Sequence, residues 1–409
     1  MRKIELLCPA SSLEVLKIAV IFGADAVYIG GEAFGLRAKA KNFSLEEMAE
    51  GIKFAHDHGV KVYVTANILA HNYDLDGVRT YFAELRDMKP DRPDGLIIAD
   101  PAIFMLAKEI CPEIERHIST QANTVNYAAA KMWQRLGASR IILAREASMD
   151  DIKRIRDEVG DDMELEAFVH GAMCMSYSGR CLLSNFMTGR GANHGECAQP
   201  CRWNYYVMEE KRPGELMQLM EDDRGTYVFN ANDLCMIEYI PQLAQAGISS
   251  FKIEGRMKTV NYTATVTKQY REALDRYQAD PDNYTFDPYW AEELDKASHR
   301  PFSTGFFFGK PDHNSQCYDS SVYMRDYGFI GKVLDYDEER HLIKIEQRNH
   351  FKLGENVEIM PPKGKHIVLT LTEMLNESYE PITVAPHPQM TVYIPYGEFV
   401  DKNSIMRRK

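Results

Sequence analysis

Four cysteines close together in the middle of the chain could bind a metal. They are Cys174, Cys181, Cys197 and Cys201, with six residues between the first two and three between the last two. Four thiolates can hold either a tetrahedral zinc ion or an iron–sulfur cluster. Zinc sites usually have only two or three residues between paired cysteines, so the wide first gap favours the cluster. Zinc stays as the alternative, and Cys235, on a predicted helix, is a reserve ligand.

These cysteines are better explained as metal ligands or buried thiols than as disulfides. The chain of 409 residues has eight cysteines, and its start lacks an export signal because Glu5 interrupts a short apolar run. No apolar stretch reaches the roughly 18 residues of a transmembrane helix. Disulfides are rare in the reducing cytosol. We therefore expect a cytoplasmic protein with no membrane partner.

Charged residues beside predicted strand ends are candidate catalytic residues. His170 lies between a strand and the first cysteine, and an ordinary histidine pKa would suit acid–base chemistry. Arg145, Glu254 and Arg256 follow predicted strands. Arginine binds carboxylates through paired hydrogen bonds, which would suit a small carboxylate ligand. The alternatives are a structural histidine and ion pairs between sequence neighbours, namely Arg145 with Glu146 and Glu254 with Arg256.

Four further polar side chains are candidates for binding a cofactor or co-substrate. Gln121 and Asn123 follow the fifth predicted strand and could contact polar groups of a substrate, or could instead cap the next helix. Arg180 and Arg202 flank the cysteines and could bind an anion there.

Nine short apolar segments alternate with helical patterns over the first 270 residues. They are KIELL (3–7), DAVYIG (25–30), KVYVTA (61–66), GLIIAD (95–100), RHIST (116–120), RIILA (140–144), ELEAFV (164–169), TYVFN (226–230) and SFKIEG (250–255). Such runs are typical of strands buried on both faces of a parallel sheet. Ser12, Ser44 and Asp150 mark predicted helix starts. The pattern predicts an α/β fold, a (β/α)8 TIM-like barrel in which one of the nine segments is either a strand outside the barrel or not a strand. A doubly wound sheet is the alternative, although no GxGxxG follows the first strand.

The regular alternation is interrupted once and ends before the C-terminus. Residues 170–225 contain the four cysteines and few periodic helices, which indicates a long functional insertion. From about residue 317, short strands follow one another without helices, which predicts a small all-β barrel. We therefore predict a barrel domain over residues 1–300 and a small β-barrel C-terminal domain over residues 310–409.

The charge of the chain limits how it could bind nucleic acid. Its formal net charge is -12, whereas proteins that bind nucleic acid by bulk attraction are usually basic. An RNA contact would therefore use a local basic patch, and the candidates are residues 39–42, Lys258 and the C-terminal MRRK. The small β-domain could also contact RNA, by analogy with other small β-barrels.

Several long motifs resemble one known family along the whole chain. Residues 166–184 follow the pattern E-x-F-x-x-G-A-x-C-x-x-x-x-G-x-C-x-x-S. LLCPA near the start, STQAN at 119–123, LARE at 143–146 and KIEGRMK at 252–258 accompany this pattern. Together these motifs resemble peptidase family U-32, the collagenase-like group.

This resemblance implies a function in RNA modification. The length, the CxxxC pair and the appended β-domain are most similar to a branch that makes 5-hydroxyuridine at the tRNA wobble position, without oxygen and with prephenate. It implies a 4Fe–4S cluster on the four cysteines and tRNA as a partner. Another branch hydroxylates ubiquinone precursors as a two-protein complex, which leaves open a homo-oligomer or a hetero-oligomer with a family paralogue.

The family name keeps a metal-dependent, collagenase-like peptidase as the main alternative. The sequence contains neither the HExxH helix of zinc proteases nor the GxSxG nucleophile elbow. A third interpretation is a binding module in which the metal only holds the insertion. We expect the hydroxylating enzyme.

Overall fold

Eight parallel strands close into a barrel. The computed structural model describes residues 3–32, 34, 42–174, 181–190, 197–200, 203, 206–207, 217–218, 232–309 and 327–409. The barrel strands are β1 (Glu5–Pro9), β2 (Ala26–Gly30), β3 (Lys61–Ala66), β4 (Gly95–Ile98), β5 (Glu115–Ile118), β6 (Arg140–Ile142), β7 (Glu164–Gly171) and β11 (Ser250–Ile253). The first seven pair in chain order, and β11 pairs with both β7 and β1, which closes the barrel.

Helices connect successive strands and follow the barrel. They are α1 (Leu13–Ile21), α2 (Leu45–Asp57), α3 (Leu75–Asp87), α4 (Pro101–Ile110), α5 (Tyr127–Leu136), α6 (Met149–Val159), α7 (Leu183–Thr188), α8 (Ile240–Gln245), α9 (Val260–Ala279) and α10 (Pro288–Asp295). Ser12 and Ser44 cap α1 and α2, as predicted. The N-cap of α6 is Ser148 and not the predicted Asp150, because Ser148 and Asp151 form a reciprocal capping box.

The closed barrel confirms the predicted fold class and excludes the open sheet. Eight of the nine apolar segments form its strands, and the ninth, residues 226–230, lies outside the described residues. The insertion after β7 contains α7 and two short strands, β8 (Tyr206–Val207) and β9 (Met217–Gln218). Strand β10 (Asp233–Cys235) then pairs antiparallel with β7. Cys235 therefore lies on a strand, and its predicted helix is wrong.

An all-β domain follows the barrel, as predicted. Its six-stranded antiparallel sheet has the order β17-β16-β20-β13-β14-β19. These strands are β13 (Gly328–Asp337), β14 (Leu342–Gln347), β16 (Asn356–Met360), β17 (Ile367–Thr370), β19 (Thr391–Pro395) and β20 (Ile405–Arg408). A second, two-stranded sheet pairs β15 (Phe351–Lys352) with β18 (Val384–Ala385). The barrel sheet itself extends to β12 (Phe302–Ser303). Among the described helices, none combines the length and apolar character that crossing a membrane requires.

Buried ion pairs join the C-terminal domain to the barrel helices. Arg407 of β20 contacts Glu293 of α10 and Glu358 of β16. Lys296 and His366 lie beside the same carboxylates. Ligand atoms of Glu293, Glu358 and His366 fall within 4.8 Å of one another, as they would around a metal ion. Because Arg407 and Lys296 already balance both carboxylates, we interpret the group as an interdomain ion-pair network.

A charged network fills the end of the barrel at which the strands begin. Arg140, which is 2% exposed, donates to Glu5 at 2.6 Å and to Glu164 at 2.8 Å. It also donates to Glu166 at 3.0 Å, and Lys252 Nζ lies 2.7 Å from the other oxygen of Glu166. Burial alone would raise the pKa of Glu5, but the guanidinium of Arg140 outweighs burial and lowers that pKa to about 2.

Replacing Arg140 with methionine is expected to destabilise the barrel strongly. The variant leaves Glu5 buried without its cation, and breaking a buried pair in this way typically costs about 3–5 kcal/mol in the free energy of unfolding. Urea unfolding near neutral pH, followed by circular dichroism, measures the change. Arg79→Met is the control, because the Arg79–Glu109 pair is exposed and such pairs contribute less than about 1 kcal/mol. Equal stability of the two variants would contradict the role of the network.

Candidate active site

The strand ends bring the predicted catalytic residues to one face of the barrel. Because all eight strands run parallel, their C-terminal ends meet at one mouth, where active sites of such barrels lie. Arg145 follows β6, and Cys174 comes three residues after β7. Glu254 and Arg256 follow β11. Three neighbouring strands therefore supply the candidate residues of this mouth.

Arg145 and Glu254 form an ion pair at the mouth. Nη2 of Arg145 lies 2.9 Å from a carboxylate oxygen of Glu254. The guanidinium carbon of Arg145 lies 4.0 Å from the ring centre of Phe168, and Lys252 Nζ lies 5.4 Å from the same ring centre. Both cations therefore form cation–π contacts with Phe168. The alternative pair of Arg145 with Glu146 is therefore wrong. The partner comes from a strand more than a hundred residues later in the chain, because β7 brings β6 and β11 together.

Arg256 extends across the mouth towards the ends of β2 and β3. The residue is 5% exposed, and its guanidinium donates to Thr65 Oγ1 at 3.1 Å and to Asn42 Oδ1 at 3.0 Å. Gly30 provides the space, since a Cβ atom there would lie 1.9 Å from Nη2 of Arg256. Within the described residues its partners are these neutral oxygens, in place of the predicted ion pair with Glu254.

Gln121 and Asn123 lie in and after a single 3-10 turn (Thr120–Ala122) that follows β5. Ser119 Oγ accepts the backbone N–H of Gln121 at 3.3 Å and donates to its side-chain oxygen at 3.2 Å. Asn123 adopts a left-handed conformation with φ of 55°, and its Oδ1 is buried. Neither residue caps α5, whose N-cap is Asn126, so the capping alternative is wrong. Both remain candidates for contacts with a substrate.

His170, the second-last residue of β7, lies in an aromatic environment. The residue is 1% exposed, and its ring centre lies 5.5 Å from that of Tyr270 and 5.4 Å from that of Phe302. Burial, assisted by the charge of His299, lowers the pKa of His170 to about 3. The expectation of an ordinary pKa is therefore wrong. The imidazole is neutral at physiological pH and does not act as an imidazolium acid.

Three of the four cysteines lie within the described residues and are free of disulfides. Cys174 is exposed, and Cys181 and Cys197 are partly exposed. Sγ of Cys181 accepts the backbone N–H of Leu183, and Sγ of Cys197 accepts that of Gln199, each at 3.4 Å. Backbone N–H groups that donate to sulfur are common around metal-bound cysteines. The chemistry of these donors fits an iron–sulfur cluster and also fits zinc.

Three predicted site residues, Cys201, Arg180 and Arg202, lie outside the described residues. Their roles stay predictions. The reserve ligand Cys235 is a poor thiolate: although part of the residue is exposed, burial of its thiol raises the pKa to about 12.

The sequence analysis missed residues that are buried in the strands below the mouth. Phe168 supports Arg145, and Thr65 binds Arg256. Lys252 lies between Glu166 and the ring of Phe168. Only Lys252 could have been found from the sequence, because it interrupts the apolar strand SFKIEG. A lysine in a buried strand is almost always paired with an acid, so its position predicts an ion pair.

Replacing His170 with phenylalanine is expected to flatten the pH dependence of stability. The pKa of His170 is about 3 in the folded state, below its unfolded value of about 6.5. As the pH falls through this window, the unfolded state binds a proton that the folded state excludes, so the folded state loses stability. At pH 5 the loss amounts to about 2 kcal/mol, and His170→Phe removes it.

Urea unfolding at neutral pH and at pH 5 measures this difference. His350→Phe, at an exposed position, is the control and should retain the wild-type pH dependence. The same fall in stability in wild type and His170→Phe would contradict a neutral, buried imidazole.

Comparison with known proteins places both domains in one family. The model of peptidase family U32 matches residues 11–317, and the model of the U32 C-terminal domain matches residues 325–407. The chain is 42% identical over 407 residues to tRNA hydroxylation protein P1 of Bacillus subtilis, covering 100% of this chain and 95% of that protein. It is 36% identical over 443 residues to tRNA hydroxylation protein P of Escherichia coli, covering 98% and 96%.

A third relative modifies a different RNA according to its name. A 23S rRNA 5-hydroxycytidine synthase of Escherichia coli is 38% identical over 279 residues, which cover 67% of this chain and 39% of that protein. The motifs around the cysteines, the barrel, the β-domain and these matches agree, and the chain belongs to peptidase family U32.

Proposed function

We propose that this protein is an iron–sulfur-dependent enzyme that converts the wobble uridine of tRNA to 5-hydroxyuridine without oxygen and with prephenate. The observation that supports this most is the 42% identity along the whole chain to a protein named for tRNA hydroxylation. The rRNA relative is also named for a hydroxylated base. The names of these relatives have the hydroxylation of RNA in common.

We propose that Cys174, Cys181, Cys197 and Cys201 hold a 4Fe–4S cluster at the barrel mouth, with zinc as the alternative. When bound, such a cluster supplies electron transfer. The chain contributes Cys174 just after β7 and the other thiols from the insertion, where Cys181 and Cys197 each accept a backbone N–H group. Hydrogen bonds to sulfur tune the reduction potential of such clusters.

We propose that the arginines of the mouth bind the carboxylates of prephenate. A guanidinium has five N–H donors, and the Arg145 side chain directs one of them to Glu254. Phe168 supports the face of this guanidinium, so its plane is fixed before a ligand arrives. Arg256, held by Thr65, is a second anion-binding candidate.

The proposed location and partner of the protein follow from its proposed substrate. A tRNA-modifying enzyme acts in the cytoplasm, with tRNA as its partner. Its assembly in this proposal is a homo-oligomer or a hetero-oligomer with a family paralogue. Gln121 and Asn123 at the end of β5 would supply neutral contacts to the substrate.

Replacing Cys174 with alanine is expected to abolish 5-hydroxyuridine, because a cluster that loses one of four thiolates is not retained. The variant is introduced into a deletion strain, and tRNA nucleosides are quantified by mass spectrometry. Iron is measured on the same protein purified without oxygen. Cys111→Ala is the matched control, because this buried cysteine lies at the end of α4, opposite the mouth.

Two outcomes of this experiment would contradict the proposal. Unchanged 5-hydroxyuridine in the Cys174→Ala strain, without a paralogue present, would show that the cysteines are not required. A colourless protein with one zinc ion, active only in cleaving denatured collagen, would instead favour a peptidase.

Replacing Arg145 with glutamine is expected to raise the KM for prephenate by at least about 10-fold, with a smaller change in kcat. The variant removes a charge-assisted hydrogen bond to a carboxylate, which typically contributes about 1.5–3 kcal/mol. Steady-state kinetics with tRNA at saturation measure both constants. Arg154→Gln on the exposed face of α6 is the control. A loss of kcat at unchanged KM would contradict a role for Arg145 in co-substrate binding.

A further inference from the structure

Large apolar side chains are exposed on the cysteine-bearing insertion. On and beside helix α7, Phe186 is 85% exposed, Leu182 is 69% exposed and Met187 is 42% exposed. Trp203 is 44% exposed, whereas the other two tryptophans, Trp133 and Trp290, are buried at 6% and 1%. Exposed large apolar side chains that cluster in one segment usually mark an interaction surface.

This surface is connected to the cysteines on both sides. Cys181 comes two residues before the helix, and the fully buried Ser184 accepts the backbone N–H of Ala198, next to Cys197, at 2.9 Å. The backbone N–H of Trp203 donates to the carbonyl of Pro200 at 3.0 Å. These hydrogen bonds join the helix to the segment that begins at Cys197 and hold Trp203 close to that segment.

The charge of this segment is opposite to that of the whole chain. Residues 174–207 contain three arginines against one glutamate and no aspartate, a formal charge of +2 in a chain of -12. A basic segment with interspersed aromatic residues is typical of surfaces that bind single-stranded nucleic acid. A partner protein with an acidic apolar surface would also fit this charge, and we favour RNA because the chain belongs to a family whose relatives are named for RNA hydroxylation.

We propose that Phe186 and Trp203 form a platform on which unpaired bases of the substrate RNA stack, next to the base that reacts. The proposal rests on the proposed function and adds the element that holds the RNA. An enzyme that modifies a base must remove it from its stack, and single-stranded RNA is commonly held by stacking on aromatic side chains. Leu182 and Met187 extend the apolar surface. Arg190 places a cation in the same segment for the phosphates.

Binding to a labelled RNA hairpin tests the platform. The probes are a fluorescein-labelled hairpin with an unpaired loop and a blunt RNA duplex of the same composition. Phe186→Ala and Trp203→Ala should each weaken hairpin binding by about 10-fold, since stacking of a base on an aromatic ring is worth about 1–3 kcal/mol. Binding of the duplex should change little. Phe399→Ala, at a 63% exposed phenylalanine of the C-terminal domain, is the matched control.

Intrinsic fluorescence gives a second readout that does not depend on activity. Because Trp203 is the exposed tryptophan of the three, it should account for most quenching by acrylamide. The hairpin should protect the fluorescence of the wild type from quenching. In Trp203→Phe this protected fluorescence should disappear, while the affinity for the hairpin stays the same, because phenylalanine retains an aromatic ring for stacking.

The outcomes separate this inference from the proposed function. If the wild type binds the hairpin, and Phe186→Ala and Trp203→Ala bind it equally well, the platform is overturned. The hydroxylase proposal would then stay intact. No binding of any RNA by the wild-type holoprotein would overturn both. A loss of self-association in these variants, with unchanged RNA affinity, would show that the surface is a protein interface.

Discussion

Alternating charges along the inside of the barrel are the constraint on which the mouth depends. Arg140 binds Glu166 at 3.0 Å, and Glu166 binds Lys252 at 2.7 Å. Burial lowers the pKa of Lys252, while the carboxylates of Glu166 and Glu254 oppose this effect. Arg145 pairs with Glu254 at the mouth, and both Arg145 and Lys252 lie against the ring of Phe168. Because a buried charge without a partner costs several kcal/mol, Arg140, Glu166 and Lys252 hold one another in place. The ring of Phe168 therefore packs Arg145 against this buried network.

Strand β7 connects this charge series to the cysteines. It carries Glu166 within the network and Phe168 beneath Arg145, and the chain reaches Cys174 three residues after the strand ends. One short segment thus contacts Arg145 and leads to the first thiol, Cys174. At the end of the strand, its pairing with β11 shifts register, and His170 packs against Tyr270 of α9. That contact packs the end of β7 against α9.

The barrel could be predicted from the sequence because strands buried on both faces are continuous apolar runs, which is a local property. The contacts of the site could not, because they join distant segments. Arg145 and Glu254 are brought together only when the barrel closes, and the neighbour Glu146 was the natural but wrong guess. His170 has an ordinary sequence context, and only its aromatic environment in the fold lowers its pKa to about 3. The cysteine spacing indicated a metal site, whereas it carried no information on the N–H groups that meet the sulfur atoms.

An acidic protein that acts on RNA faces a physical conflict, and the distribution of charge in this chain offers a solution. Surface charges interact weakly beyond about 8–10 Å at physiological salt, so a local basic segment attracts phosphates even when the whole chain carries -12. Carboxylates elsewhere then repel RNA that approaches in any other orientation. Residues 174–207 combine the positive charge, the exposed rings and the thiols in one insertion. In the proposed function, the attraction that binds the RNA would therefore also direct it to the metal centre, and tight binding by bulk charge would not be needed.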